Sequence, residues 1–255
     1  MVVHGHATTL PMTLDQLITH SQAVRRGVRR AMIVGDLPFG SYEDSVESAI
    51  RSAVRLTKEG FVDAIKLEGA SETRLQVVKS IVAAGIPVMG HIGLTPQAVN
   101  VIGGFKPQGR TATTAFALVE DAIGLERAGC FAIVLECVPE VVARAITAAV
   151  GIPTIGIGAG PYTSGQILVY HDVLGLTEHH HHAAVAPRFC KQYATLGVQV
   201  KSALEQFRHE VECETFPRDQ YCPYTMSEDE LSEFTDRLYN GGFERVATSL
   251  RSFSK

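Results

Sequence analysis

The chain has 255 residues, 45% of them hydrophobic, and a formal charge of −4. That length buries a full core and suits one α/β barrel or two small domains. The mild acidity, with no basic stripe interleaved with aromatics, argues against nucleic acid as a partner, and no apolar stretch approaches the ~20 residues that span a bilayer. Five cysteines without paired spacing read as reduced thiols in a reducing compartment.

The N-terminal segment 1–6 has neither a basic leader nor an Arg-rich amphipathic pattern, so no targeting peptide is read there. Thr13, with Gln16 three residues on, forms a capping box that opens the first helix. Leu14, Leu17, Ile18, Val24 and Val28 give that helix an apolar face. Arg25, Arg26, Arg29 and Arg30 cluster at its C-terminal end, where the helix dipole favours cations, and read as a solvated end. A first strand is expected over 31–34, leading to Asp36, then a helix over 45–58. A second strand over 64–67 leads to Glu68, a helix spans 72–84, and a third strand over 88–92 contains His91. The loop 93–110 is long and Gly-rich, and loops of that length usually serve function. A helix over 115–128 leads to a fourth strand, 132–135, which ends at Glu136. A helix over 140–149, a fifth strand over 154–158 and a sixth over 166–170 follow.

The run Gly156 to Gly160 lacks the long helix and the acidic residue of a dinucleotide fingerprint, and reads as a tight strand-end turn. The histidine run 179–182 reads as a solvated loop with adventitious affinity for transition metals. A helix near 198–211 and a Cys- and Pro-containing linker come next. A tail then has its own capping box, Ser227 to Glu230, and an apolar face of Leu231, Phe234 and Leu238. The expected division is a catalytic domain over 1–214 and a tail over 215–255. Gly60, Gly85, Gly129 and Gly151 each separate a helix from an apolar run, where a left-handed residue closes the helix.

Short apolar runs alternating with helices are the pattern of a parallel sheet buried on both faces. In a (βα)₈ barrel the strand ends converge at one mouth, so Asp36, Glu68, His91 and Glu136 would meet there. Asp36 and Glu68 are hard oxygen donors suited to Mg²⁺, which keeps positions for substrate oxygens. Lys66 and Glu68, two apart, share a strand face. Lys66 either holds a substrate carboxylate or pairs with the acids as an interior salt bridge. Glu136, between Leu135 and Cys137, is either a partly desolvated general base or a cap for the helix that follows. His91 is a polar substrate contact, a metal ligand or a hydrogen-bonded wall residue. Cys137 is a candidate for lining the site.

Several motifs resemble those of the ketopantoate hydroxymethyltransferase family. They are Gly35-Asp36-Leu37-Pro38-Phe39, Lys66-Leu67-Glu68-Gly69, the run Gly90 to Gln97, the run Gly103 to Gly109, Leu135-Glu136-Cys137-Val138-Pro139, Gly156 to Gly160 and Gly165 to Val169. They occur in family order over about 2–215, and the segments 2–6 and 179–193 resemble eukaryotic members. The resemblance implies a TIM (βα)₈ barrel of the phosphoenolpyruvate/pyruvate type, usually assembled as a homo-oligomeric decamer. It implies transfer of a hydroxymethyl group from 5,10-methylenetetrahydrofolate to 3-methyl-2-oxobutanoate through a Mg²⁺-stabilised enolate. The product, 2-dehydropantoate, serves pantothenate and coenzyme A synthesis. Carried over by motif, Asp36 and Glu68 match metal ligands, Asp36 and Lys66 match substrate contacts, His91 joins them as a substrate-binding candidate, and Glu136 matches the proton acceptor. A eukaryotic member implies the mitochondrial matrix, otherwise the cytoplasm.

Six strands are two fewer than a closed barrel needs. Two further strands, a helix and the family's Gly-Asp-Ser motif are therefore expected upstream of residue 1, with that motif supplying a third metal ligand and a substrate-binding serine. Ala7 stands where the family carries Asp. The alternative reading is a truncated or catalytically inactive paralogue that serves as an assembly or binding partner.

Overall fold

The computed structural model describes residues 2–177 and 189–250, so the histidine run 179–182 lies outside the described residues. The chain divides into two compact units, Met1–Leu196 and Gly197–Lys255. The helix Leu196–Glu212 begins at the end of the first unit and runs on in the second.

The first unit alternates helices and strands: α1 (Leu14–Gly27), β1 (Val34–Asp36), α2 (Val46–Gly60), β2 (Ala64–Lys66), α3 (Glu72–Ala83) and β3 (Val88–Gly93). A 3₁₀ turn (Pro96–Ala98) runs into the short α4 (Val99–Ile102), so the expected loop has helical structure of its own. Then come α5 (Ala112–Arg127), β4 (Ala132–Glu136), α6 (Glu140–Ala149), β5 (Thr154–Ile157), β6 (Gly165–Gln166) and the single-turn α7 (Tyr170–Val173). The six strands form one parallel sheet in chain order, an open half-barrel.

Local chemistry explains the element starts. Thr13 and Gln16 form the expected capping box, and Thr111 and Thr114 form another. Ser45 and Ser71 accept hydrogen bonds from the third residues of α2 and α3. Each such cap satisfies amide donors that the first turn leaves unpaired, worth about 1 kcal/mol apiece.

Three expectations are corrected. Gly85 and Gly129 do turn left-handed, but Gly151 does not, since extended Val150 ends α6, and Gly60 ends α2 as a helical residue while Phe61 takes φ +56° instead. Gly60 is needed for a close approach, since a Cβ there would sit 3.0 Å from Leu56 and 3.3 Å from Ser21. The sixth strand is shorter than 166–170: after Ile167 N–H bonds to the Gly156 carbonyl, Val169 already caps α7. Arg25 is not a solvated end. Its guanidinium donates to Phe61 O at 2.8 Å and pairs with Asp63 at 2.5 Å. Asp63 also accepts from Ile33 N–H at 2.8 Å. That amide first, and Arg25 second, hold the Asp63 carboxyl below its usual range and tie α1 to the entries of β1 and β2.

The sheet's two faces differ by the two-residue period of a strand. One face packs on α1, α2, α3, α5 and α6 through Ile65, Leu67, Val88, Ile92, Ile133 and Leu135, all buried. The opposite face carries Val34, Asp36, Lys66, Met89, His91, Val134 and Glu136 into a cavity of about 420 Å³.

The second unit consists of the helix Leu196–Glu212, a 3₁₀ turn (Asp219–Tyr221) and the helices Glu228–Asn240 and Glu244–Leu250. Phe207, Phe216 and Tyr221 pack in series, edge-to-face and then tilted, with ring centroids 5.7 and 5.4 Å apart. Ser227 caps its helix by accepting from Glu230 N–H, and Tyr239 and Thr248 join the last two helices at 3.3 Å. No helix among the described residues is long and apolar enough to cross a membrane.

Candidate active site

Five of the residues singled out from the sequence line a single cavity at the C-terminal ends of the strands: Asp36, Lys66, Glu68, His91 and Glu136. Register explains the convergence. Asp36 pairs with Lys66 across β1 and β2, His91 with Val134 and Gly93 with Glu136 across β3 and β4. Gly93 allows the last pair, because at φ +93° a Cβ there would lie 2.2 Å from the Glu136 carbonyl oxygen. Leu94 N–H donates to that same oxygen at 2.8 Å.

The side chains form a connected row. Lys66 Nζ lies 2.7 Å from Asp36 Oδ1 and 3.1 Å from His91 Nδ1. His91 Nε2 lies 2.8 Å from Leu94 O and 3.2 Å from Glu136 Oε2. An ammonium can only donate, so Nδ1 is the acceptor and Nε2–H is shared between the Leu94 carbonyl and Glu136. The imidazole is thus the neutral Nε2–H tautomer, buried, with both nitrogens engaged. For His91, the hydrogen-bonded wall role is present, and the residue also lines the cavity. For Lys66, the interior salt bridge is present, and the side chain also faces the cavity.

Glu68 is buried, and its Oε2 accepts from Gln97 N–H at 2.9 Å. Burial pushes its carboxyl above the usual range against the opposing pull of Lys66 and the Gln97 amide, and the Asp36 charge adds to the rise. Glu136 does not cap α6, whose N-cap is Pro139 without a side-chain bond. Cys137 is not among the cavity-lining residues. It takes φ +52°, and its thiol is pushed up to about 11 by burial first and the Glu136 charge second.

Three carboxyls, those of Asp36, Glu68 and Glu136, therefore face one ammonium. That imbalance suits a divalent cation, and the cost appears as the raised Glu68 carboxyl. Among the described residues no group of three or more His, Cys, Asp or Glu is placed to hold a metal alone. Attachment would rest on Asp36 and Glu68, with water or substrate oxygens completing the shell, which suits Mg²⁺. Sequence reasoning missed Tyr42 and Gln97, which bond to Glu68. Gln97 stood inside a quoted motif with no chemistry assigned to it, and Tyr42 stood in a turn.

The model of the ketopantoate hydroxymethyltransferase family matches residues 1–219. The chain belongs to the ketopantoate hydroxymethyltransferase family. It is 54% identical over 249 residues to 3-methyl-2-oxobutanoate hydroxymethyltransferase 1, mitochondrial, of Arabidopsis thaliana, covering 98% of this chain and 72% of that one. The enzyme of the same name from Oryza sativa subsp. japonica is 53% identical over 249 residues, with 98% and 68% covered. A 3-methyl-2-oxobutanoate hydroxymethyltransferase of Oleidesulfovibrio alaskensis is 53% identical over 238 residues, with 93% and 80% covered. Ketopantoate hydroxymethyltransferases are transferases, so this is an enzyme family, and the cavity is its candidate active site in this chain.

Proposed function

We propose that the cavity transfers a hydroxymethyl group from 5,10-methylenetetrahydrofolate to 3-methyl-2-oxobutanoate, giving 2-dehydropantoate for pantothenate synthesis. The observation that supports this best is the meeting of Asp36, Lys66, Glu68, His91 and Glu136 in one cavity on a chain of this family. The named substrates are those in the names of the family relatives, extended by the family's one-carbon chemistry.

In this reading Glu136 is the base. Its carboxylate is held at one oxygen by His91 and takes the proton from the carbon beside the keto group. The electron pair moves toward the keto oxygen, and that carbon then bonds to the folate-borne one-carbon unit; both of that unit's bonds to the folate nitrogens break, water supplies the hydroxyl oxygen, and the proton from water and the one taken from the substrate end on the two nitrogens of the departing tetrahydrofolate. Lys66, fixed by Asp36 and His91, supplies the cation that faces the substrate carboxylate. His91 touches this end of the substrate and keeps Lys66 and Glu136 in register. Asp36 and Glu68 would hold Mg²⁺, which supplies positive charge for the oxygen on which negative charge develops. Asp36, half exposed, is also a substrate contact in this reading.

We assign the open sheet to a TIM barrel of the phosphoenolpyruvate/pyruvate type and its assembly to a homo-oligomer, the decamer of the family. The catalytic domain is taken as 1–214 with the tail 215–255, close to the end of the family match at residue 219. The mitochondrial matrix is the proposed compartment, because the plant relatives are named as mitochondrial. The test is direct. The chain is mixed with both substrates and Mg²⁺, and release of 2-dehydropantoate is followed. Any product formed is expected to depend on all three components and to be lost in Glu136→Ala. Product that forms without folate or without Mg²⁺, or that persists in Glu136→Ala, sinks the reading.

A further inference from the structure

A ring of hydrogen bonds closes on Glu68. Its main-chain N–H donates to the Tyr42 hydroxyl oxygen at 3.3 Å, and the Tyr42 O–H donates to Gln97 Oε1 at 2.6 Å. Gln97 main-chain N–H then returns to Glu68 Oε2 at 2.9 Å. The Gln97 side chain can sit only one way round, because its Nε2 donates to Leu37 O at 2.8 Å. The ring joins the ends of three strands: Leu37 and Tyr42 follow β1, Glu68 follows β2 and Gln97 follows β3.

Tyr42 is itself held on every side. It is 1% exposed. The Arg74 guanidinium lies 4.1 Å from its ring centroid and donates to its carbonyl at 3.2 Å. Glu43 pairs with Arg74 at 3.7 Å and accepts from Tyr42 N–H at 3.1 Å. Burial keeps the phenol protonated, so the hydroxyl remains a donor to Gln97.

A brace between loops would not need to include a charged group from the cavity wall. This ring does: the Glu68 carboxylate is its one charged acceptor, and an amide donating to a carboxylate makes a charge-assisted bond. Oε2 is occupied by Gln97, while Oε1 has no hydrogen-bond partner among the described residues and Glu68 lines the cavity.

We propose that Tyr42 and Gln97 are positioning residues that hold Glu68 Oε2 and present Oε1 to a divalent cation. This rests on the reading of Glu68 as a cation ligand. Groups that orient a metal ligand from behind commonly change metal affinity by about 10- to 100-fold when removed.

The experiment titrates the full chain with Mn²⁺ and reads the free ion by electron paramagnetic resonance, so that turnover plays no part. Four proteins are compared: wild type, Glu68→Gln, Tyr42→Phe and Gln97→Met, each checked for folding by near-ultraviolet circular dichroism. Glu68→Gln should lose most Mn²⁺ binding. Tyr42→Phe and Gln97→Met should each weaken it about tenfold while remaining folded. If both bind within twofold of wild type while Glu68→Gln does not, the positioning role is overturned and the ligand role stands. If Glu68→Gln binds Mn²⁺ as wild type does, the ligand reading fails and the positioning role falls with it. Should Tyr42→Phe not fold, Gln97→Met alone decides by the same criterion.

Discussion

Leu135 and Glu136 are neighbours on one strand and belong to two different regions of the molecule. Leu135 points to the helix layer and is fully buried among apolar side chains. Glu136 points into the cavity and touches His91. The same division runs through Leu67 and Glu68 and through Ile92 and His91. One face is apolar and closely packed, and stability rests on it. The other gathers charge whose desolvation opposes folding, which the molecule tolerates because the groups satisfy one another. Stability and chemistry are thus separated by a single peptide unit.

Breaking the cavity face should have the largest effect. Glu136→Gln keeps shape and a hydrogen-bond partner for His91 but cannot accept the substrate proton. Turnover should fall about a thousandfold with the melting temperature nearly unchanged. The cleanest measurement is deuterium exchange at the carbon beside the keto group of 3-methyl-2-oxobutanoate, followed by nuclear magnetic resonance without folate. Exchange that persists in the variant would assign the base elsewhere.

Breaking the helix face should do the reverse. Leu135→Ala removes a fully buried side chain between β4 and the helices, and should cost about 3 kcal/mol in denaturant unfolding. The remaining folded fraction should keep its turnover within a few-fold. A collapse of turnover in folded Leu135→Ala would mean that the two faces are not separable.

Gly93 is where the faces meet, so its substitution should damage both. Gly93→Ala puts a methyl into a left-handed residue and 2.2 Å from the Glu136 carbonyl. The strain should cost about 2 kcal/mol, and the end of β4 must move to relieve it. Lower stability together with lower turnover is expected, and a loss in only one of the two would contradict the shared origin.

Much of this was legible in the sequence because the period of a parallel strand is short and strict. Asp36, Lys66, Glu68, His91 and Glu136 each stand at or just beyond an apolar run, and strand direction alone brings them to one end. What stayed hidden depends on contacts between distant segments. Phe61 rather than Gly60 turns left-handed because Gly60 is pressed against Leu56 one turn back and against Ser21 of α1, and no local pattern links it to Ser21. The run Ile167-Leu168-Val169 has strand propensity, yet the chain turns into α7 at Tyr170. The ring through Tyr42 and Gln97 spans 55 residues and, Glu68 apart, involves uncharged groups, so nothing in the spacing announced it. Charge was easier to place than hydrogen bonding, because charged residues at strand ends are rare and amides in loops are common.

The smallest effect offers the finest probe of the boundary between the faces. Cys137 follows Glu136 and is absent from the cavity lining, with its thiol pushed up to about 11 by burial and, second, by the Glu136 charge. Below that value the thiolate fraction grows about tenfold per pH unit, so alkylation by iodoacetamide should rise from pH 8 to pH 10 with that slope. Peptide mass spectrometry separates Cys137 from the exposed Cys213 and Cys222. A negative neighbour disfavours a thiolate, so removing it lowers the thiol's pKa. Glu136→Gln should therefore speed alkylation of Cys137 at pH 8 by about threefold. An unchanged rate would mean that the Glu136 charge does not reach across the strand to Cys137, and that burial alone sets the thiol.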